Sequence, residues 1–190
     1  MRALAIWSGA LAGLMMILVG GLTPSALMIP GQNFTPEIVP LASTWQVPCL
    51  LLAALVCGPR AAVIAAIAYL TLGLVHLPVF HGGGSISYLT NPGFGYLISF
   101  IPAAWLSGHL TSKKNVNDLL YLTLCALTGV IVIQTLGALY LIIGATINAW
   151  QDPLPELLFS YSIAPLPAQI TLCPGVGIIS LLLRRVLFIE

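Results

Sequence analysis

Few side chains in this 190-residue sequence could do chemistry, and their kinds already narrow the classes of reaction. His81 and Ser85 lie four residues apart, a spacing that suits a base and a nucleophile on one helix face. Gly82, Gly83 and Gly84 between them argue against a helix, no carboxylate stands nearby in sequence, and the GxSxG elbow is absent. An intramembrane hydrolase built on this pair is therefore the lesser reading, and no enzyme is expected. Cys49, Cys57, Cys125 and Cys173 are scattered, with no CxxC pair and no Cys/His spacing suited to zinc. They read as small apolar helix residues, and no metal is expected. No GxxxxGK[ST] phosphate loop occurs, so no cofactor is implied and any ATP energy has to come from a partner.

What remains is uncharged recognition. Gln46, Asn91 and Gln169 can each donate and accept hydrogen bonds, while Trp45, Tyr88, Phe94 and Tyr96 can wall a pocket. His81 and the glycines after it would let backbone approach a ligand closely, although such a run also reads as a flexible connector. Asn91 followed by Pro92 has the form of an N-cap and a first helical residue, and Pro165 and Pro167 set another start just before Gln169. Free backbone amides at such starts bind an anion without a buried lysine, each end contributing about 0.3–1 kcal/mol and up to about 2 when partly buried. A small carboxylate suits this chemistry.

The elements that must position these groups follow from composition. Six Lys or Arg and five Asp or Glu against 59% hydrophobic residues cannot cover a water-soluble surface, so the chain is an all-α integral membrane protein. Net charge is +1 and no basic cluster exceeds two residues, which implies neither nucleic acid nor an anionic lipid patch as a partner beyond the bilayer itself. A single domain over residues 1–190 is expected. The first apolar stretch has only Arg2 before it and is followed by further spans, so it reads as a membrane helix rather than a signal peptide.

Six spans are expected, at residues 3–21, 43–57, 61–75, 92–108, 119–147 and 167–183. The second and third are short and joined by Gly58, Pro59 and Arg60, which predicts a tight helical hairpin. With both termini cytoplasmic, Arg2, Arg60, Lys113, Lys114, Arg184 and Arg185 all fall inside, and Glu37, Asp152 and Glu156 fall in outer segments free of Lys and Arg. Trp7, Trp150 and Tyr161 stand near span ends, as interfacial aromatics do. The spans themselves hold no charge, which makes proton-coupled transporters, pumps and voltage sensors poor candidates. The outer segments 22–42, 76–91 and 148–166 are long or irregular and can cover a site.

Several of these residues also form an ordered series. Gly58-Pro59-Arg60, Tyr69-Leu70-Thr71-Leu72-Gly73, Leu77-Pro78-Val79-Phe80, Gly82-Gly83-Gly84 and Asn91-Pro92-Gly93-Phe94-Gly95-Tyr96-Leu97 resemble the BioY family, the biotin-binding membrane S components of energy-coupling factor transporters. The similarity runs from about Val39 to Arg185. It implies a six-helix S component in the bacterial plasma membrane, with an outward pocket for biotin closed by the outer loops. It also implies docking on a membrane coupling protein driven by two ATPases. In that family the first helix docks through small residues spaced four apart, a pattern continued here by Ala5, Gly9 and Gly13, which internal packing would equally explain. The family commonly has an Asp and then a Lys at the start of its last helix, where this chain has Gln169 and Leu172, and its Gly-Pro-Thr-Gly-Gly-Tyr-Leu is altered here. The resemblance therefore implies that Gln169 and nearby backbone amides replace an ion pair. An S component for another small vitamin is the alternative ligand reading, and a scaffold without a ligand is a third.

Overall fold

In the computed structural model, residues 2–30, 36–75, 79–80, 84–113 and 118–187 are described below. Helix α1 (Arg2–Leu22) is apolar on every side, and its exposed face carries Leu4, Trp7, Leu11, Met15 and Val19, as lipid contact demands. Its other face carries Gly9 and Gly13, which lie against α2 (Gln46–Val75).

The sequence breaks α2 in the middle. Gly58 has φ 84, a backbone conformation that a residue with a Cβ adopts at a cost, and Pro59 supplies no N–H to continue the helix. The two halves fold back on each other: Gly13 is flanked by the Cβ atoms of both Ala53 and Ala65, and Gly9 by those of both Cys57 and Ala61. The expected hairpin at Gly58-Pro59-Arg60 is thus what the geometry has, with α1 seated across it. Close approach inside the chain is the use made of Gly9 and Gly13, while Ala5 is exposed.

Helices α3 (Phe94–Ile98) and α4 (Phe100–Lys113) are separated by a bend at Ser99, whose Oγ bonds the Tyr96 carbonyl. Helix α5 (Leu119–Thr146) is capped at Asp118 and ends where Asn148 takes φ 52, with the Asn148 and Ala149 amides closing on the Ala145 and Gly144 carbonyls. Trp150 then folds back, its Nε1 donating to the Leu141 carbonyl at 3.0 Å. A short α6 (Leu154–Leu158) runs through a π-helical turn (Phe159–Ile163) into α7 (Leu166–Val186). The core is made by Ile17, Leu50, Leu51, Leu55, Phe100, Leu122, Ile133, Leu141 and Val176, drawn from α1, α2, α4, α5 and α7.

Among the described residues, four helical runs are long and apolar enough to cross a membrane: Ala3–Leu22, Gln46–Val75, Leu119–Thr146 and Leu154–Val186. Two features depart from the sequence reading. The fold is not purely helical, because β1 (Pro24–Pro30) pairs antiparallel with β2 (Pro36–Thr44), with Leu27 opposite Val39 and Met28 opposite Ile38. Pro24, Pro30, Pro36 and Pro40 count against a central strand, yet a two-stranded sheet has only edges, where a missing N–H is tolerated. Arg184, expected in a polar segment beyond the last span, is instead only 6% exposed and bonded within the bundle.

Candidate ligand-binding site

At the end of the bundle where the β-hairpin enters α2, polar side chains accumulate. Gln46 begins α2 and lies over Gly21 of α1, with its side chain within hydrogen-bonding reach of the Tyr69 hydroxyl. Tyr69, fully buried, also donates to the Val79 carbonyl at 3.2 Å and packs edge-on against Phe80, with ring centroids 5.5 Å apart. Phe80 in turn packs on Tyr88 at 4.8 Å. The Tyr88 hydroxyl and the Tyr161 ring both flank Gly93, and Tyr161 stacks on Tyr96 at 6.0 Å. Tyr96 hydrogen-bonds Ser162 and presses its ring onto Gly137 of α5, one turn beyond Gln134. Gln134 closes the layer, donating from Nε2 to Gln169 Oε1 at 2.9 Å, with both residues buried.

Amides, phenols and the Phe80 ring thus come together from α2, the 79–88 segment, α3, α5, the π turn and α7 in an otherwise apolar bundle. Burial pushes the Tyr88 phenol up, and the neighbouring Tyr161 acts in the same direction, so Tyr88 stays a neutral hydroxyl. Among the described residues two atoms in the layer have bonding capacity left over: Gln134 Oε1, an acceptor, is buried without a partner, and Gln46 Nε2, a donor, is buried with no hydrogen bond beyond its approach to the Tyr69 hydroxyl. An unmet buried polar atom costs about 1–3 kcal/mol, a cost that a group supplying both an acceptor and a donor would remove.

Apart from His81, each residue expected at a site has a definite place here. Gln169, Gln46, Tyr88 and Tyr96 belong to the layer. Asn91 positions Gly93, its Oδ1 accepting the Gly93 N–H at 2.8 Å; the helix itself begins at Phe94 rather than Pro92. Trp45 joins through its backbone, donating to Thr23 and accepting from Cys49. His81 lies outside the described residues. Ser85 is exposed and serves as a cap, its Oγ accepting the Ser87 N–H, which is a turn-forming use rather than a nucleophile's. Among the described residues no three His, Cys, Asp or Glu gather as metal ligands would.

The helix starts offer less than the sequence promises. At α3 the Gly93, Phe94 and Tyr96 amides are engaged by Asn91 and Gly93. The start of α7 is fed by the π turn, with Pro165 already in helical conformation and the Gln169 amide bonded to its carbonyl. Gln134 was readable as a signal and was missed: it is an amide in the middle of a 28-residue apolar helix. Two grooves on the outside of the bundle, about 460 Å³ between α4 and α5 and about 380 Å³ between α1 and α2, are almost wholly apolar and lie away from the layer.

The result is a bundle of membrane-length helices with a β-hairpin at one end and one uncharged polar layer. The fold is similar to the crystal structure of the S-component for biotin from an ECF-type ABC transporter, with a TM-score of 0.72 over 97% of this chain and 92% of that one, at 24% identity. The family model described as the BioY family matches residues 4–188, and the chain belongs to that family. Among curated proteins it is 33% identical over 107 residues to the probable biotin transporter BioY of Lysinibacillus sphaericus, covering 56% of this chain and 54% of that protein. It is 34% identical over 117 residues to the probable biotin transporter BioY of Pyrococcus horikoshii, covering 61% and 68%. To the biotin transporter BioY of Thermotoga maritima it is 35% identical over 91 residues, covering 47% and 54%. The matched stretch thus spans between about half and two thirds of these relatives.

Proposed function

We propose that this chain is the substrate-binding membrane subunit of a biotin uptake system, without covalent chemistry of its own. The observation that carries the reading is the buried Gln134–Gln169 pair with the Gln134 Oε1 acceptor left over, together with the buried Gln46 Nε2 donor at the start of α2. Biotin's cyclic urea has one carbonyl acceptor and two N–H donors, the complement of an amide donor and an amide acceptor. Its thioether ring and aliphatic tail suit the tyrosine and phenylalanine walls, with Trp45 beside them; His81, outside the described residues, stays an expected ligand contact. The stacked rings of Tyr96 and Tyr161 and the tilted pair Phe80 and Tyr88 are in contact within the layer, and in this reading the ligand enters by parting them. Membership of the BioY family and the names of its relatives support the choice of biotin.

In this reading the chain crosses a bacterial plasma membrane six times as one domain, counting the two halves of α2 separately and α3 with α4. The basic residues then lie on the cytoplasmic side with both termini, and the hairpin covers the outer mouth. Transport energy comes from a membrane coupling protein and two ATPases, with α1 on the docking side.

Competition tests the assignment. Purified chain loaded with radiolabelled biotin is challenged with excess unlabelled biotin or with other water-soluble vitamins. Displacement by biotin alone is expected. Saturable binding of another vitamin with none of biotin would keep the transport class and remove the ligand.

A further inference from the structure

The far end of the bundle holds a charge that the site does not use. Arg184, near the end of α7, is 6% exposed, and its Nη1 donates to the Leu55 carbonyl of α2 at 3.0 Å across 129 residues of sequence. That carbonyl needs a partner for a definite reason. Its helical donor would be the N–H of residue 59, and residue 59 is Pro59, just past the break at Gly58. The guanidinium therefore sits at the carbonyl end of the first half of α2, where the helix dipole is negative, and the described residues place no carboxylate against it. Among the described residues its Nε is buried without a partner, so there the arrangement rests on the bond to Leu55 and the dipole rather than on an ion pair.

The two helices joined here are the two that carry Gln46 and Gln169. Leu55 stands nine residues below Gln46, and Arg184 fifteen below Gln169, roughly 14 and 22 Å along their helices. We propose that Arg184 is a positioning residue for the ligand layer: by capping the first half of α2 from α7 it fixes how the Gln46 and Gln169 ends face each other. The inference rests on the proposed biotin site for its functional readout, and on the helix geometry alone for the rest.

The full chain is compared in detergent as wild type, Arg184→Met and Arg184→Lys, first by amide hydrogen exchange without ligand. Arg184→Met is expected to speed exchange at both the near and far turns, around residues 46–50 and 166–170 as well as around 54–60. Biotin affinity is expected to fall about tenfold in that variant, since the Leu55 carbonyl is left unmet. Arg184→Lys, which keeps the charge at the helix end, recovers most of the loss. With Gln169→Leu already present, Arg184→Met costs no further affinity, because the residue acts through the position of that glutamine. Faster exchange confined to 54–60 and 180–186, or losses that add, would make Arg184 a local cap and overturn the proposal. Should wild type fail to bind biotin, the functional reading falls and the exchange pattern alone decides the positioning role.

Discussion

Replacing Gln169 by Leu is expected to lower biotin affinity by about 10- to 100-fold, the largest effect of any single change in the layer. The substitution keeps volume and removes the group that accepts from Gln134 Nε2 at 2.9 Å. Gln134 then has neither of its side-chain atoms satisfied, since its Oε1 already lacks a partner, and both residues are buried. The thermal midpoint should fall with the affinity. The two losses come apart in the double variant Gln134→Leu/Gln169→Leu. Replacing both partners by apolar groups of similar shape leaves no orphan, so the midpoint should return to near wild type while binding stays lost. Recovery of both would move the ligand elsewhere, and recovery of neither would make the pair purely structural.

Gly108→Ala should have the largest effect on stability. A Cβ there would sit 2.7 and 2.8 Å from the N and Cα of Pro59 and 3.0 Å from the Ala54 carbonyl oxygen. These are backbone atoms at the break in α2, and no side-chain rotation relieves the clash. Helix α4 must move off the hairpin, at a cost of about 1–3 kcal/mol. Gly175→Ala in α7 is the control, because nothing lies within 4 Å of its Cβ position. There the helix gains up to about 1 kcal/mol from the better helix former. A similar fall in thermal midpoint for both variants would mean that the α4–α2 contact is not what holds the bundle.

The contrast between those glycines shows what the sequence could and could not tell. Charge scarcity made the membrane class legible, and the Gly58-Pro59-Arg60 break was legible because each residue acts on the backbone next to it. The β-hairpin was hidden by its prolines, whose effect depends on whether a neighbouring strand needs their N–H, a fact of pairing that sequence does not contain. Arg184 looked like an ordinary cytoplasmic cation. Only contact with an element 129 residues away shows that its target is a carbonyl left free by a proline. Half of the site was readable one residue at a time, as amides and aromatics near helix starts. Its other half, Gln134 with Tyr69, Tyr161 and Ser162, depends on which helix faces turn toward each other. At the start of α3 the Gly93, Phe94 and Tyr96 amides are taken up locally by Asn91 and Gly93, a use that depends on the turn the chain makes there.

The central claim is that uncharged glutamine side chains, one of them deep in α5, hold the ligand. Titration calorimetry of biotin into the purified chain and into Gln134→Leu tests it most directly. One saturable site is predicted for wild type, with at least about a tenfold weaker constant in the variant, the cost of one lost buried hydrogen bond to the ligand. Equal biotin affinity in the two proteins would contradict it.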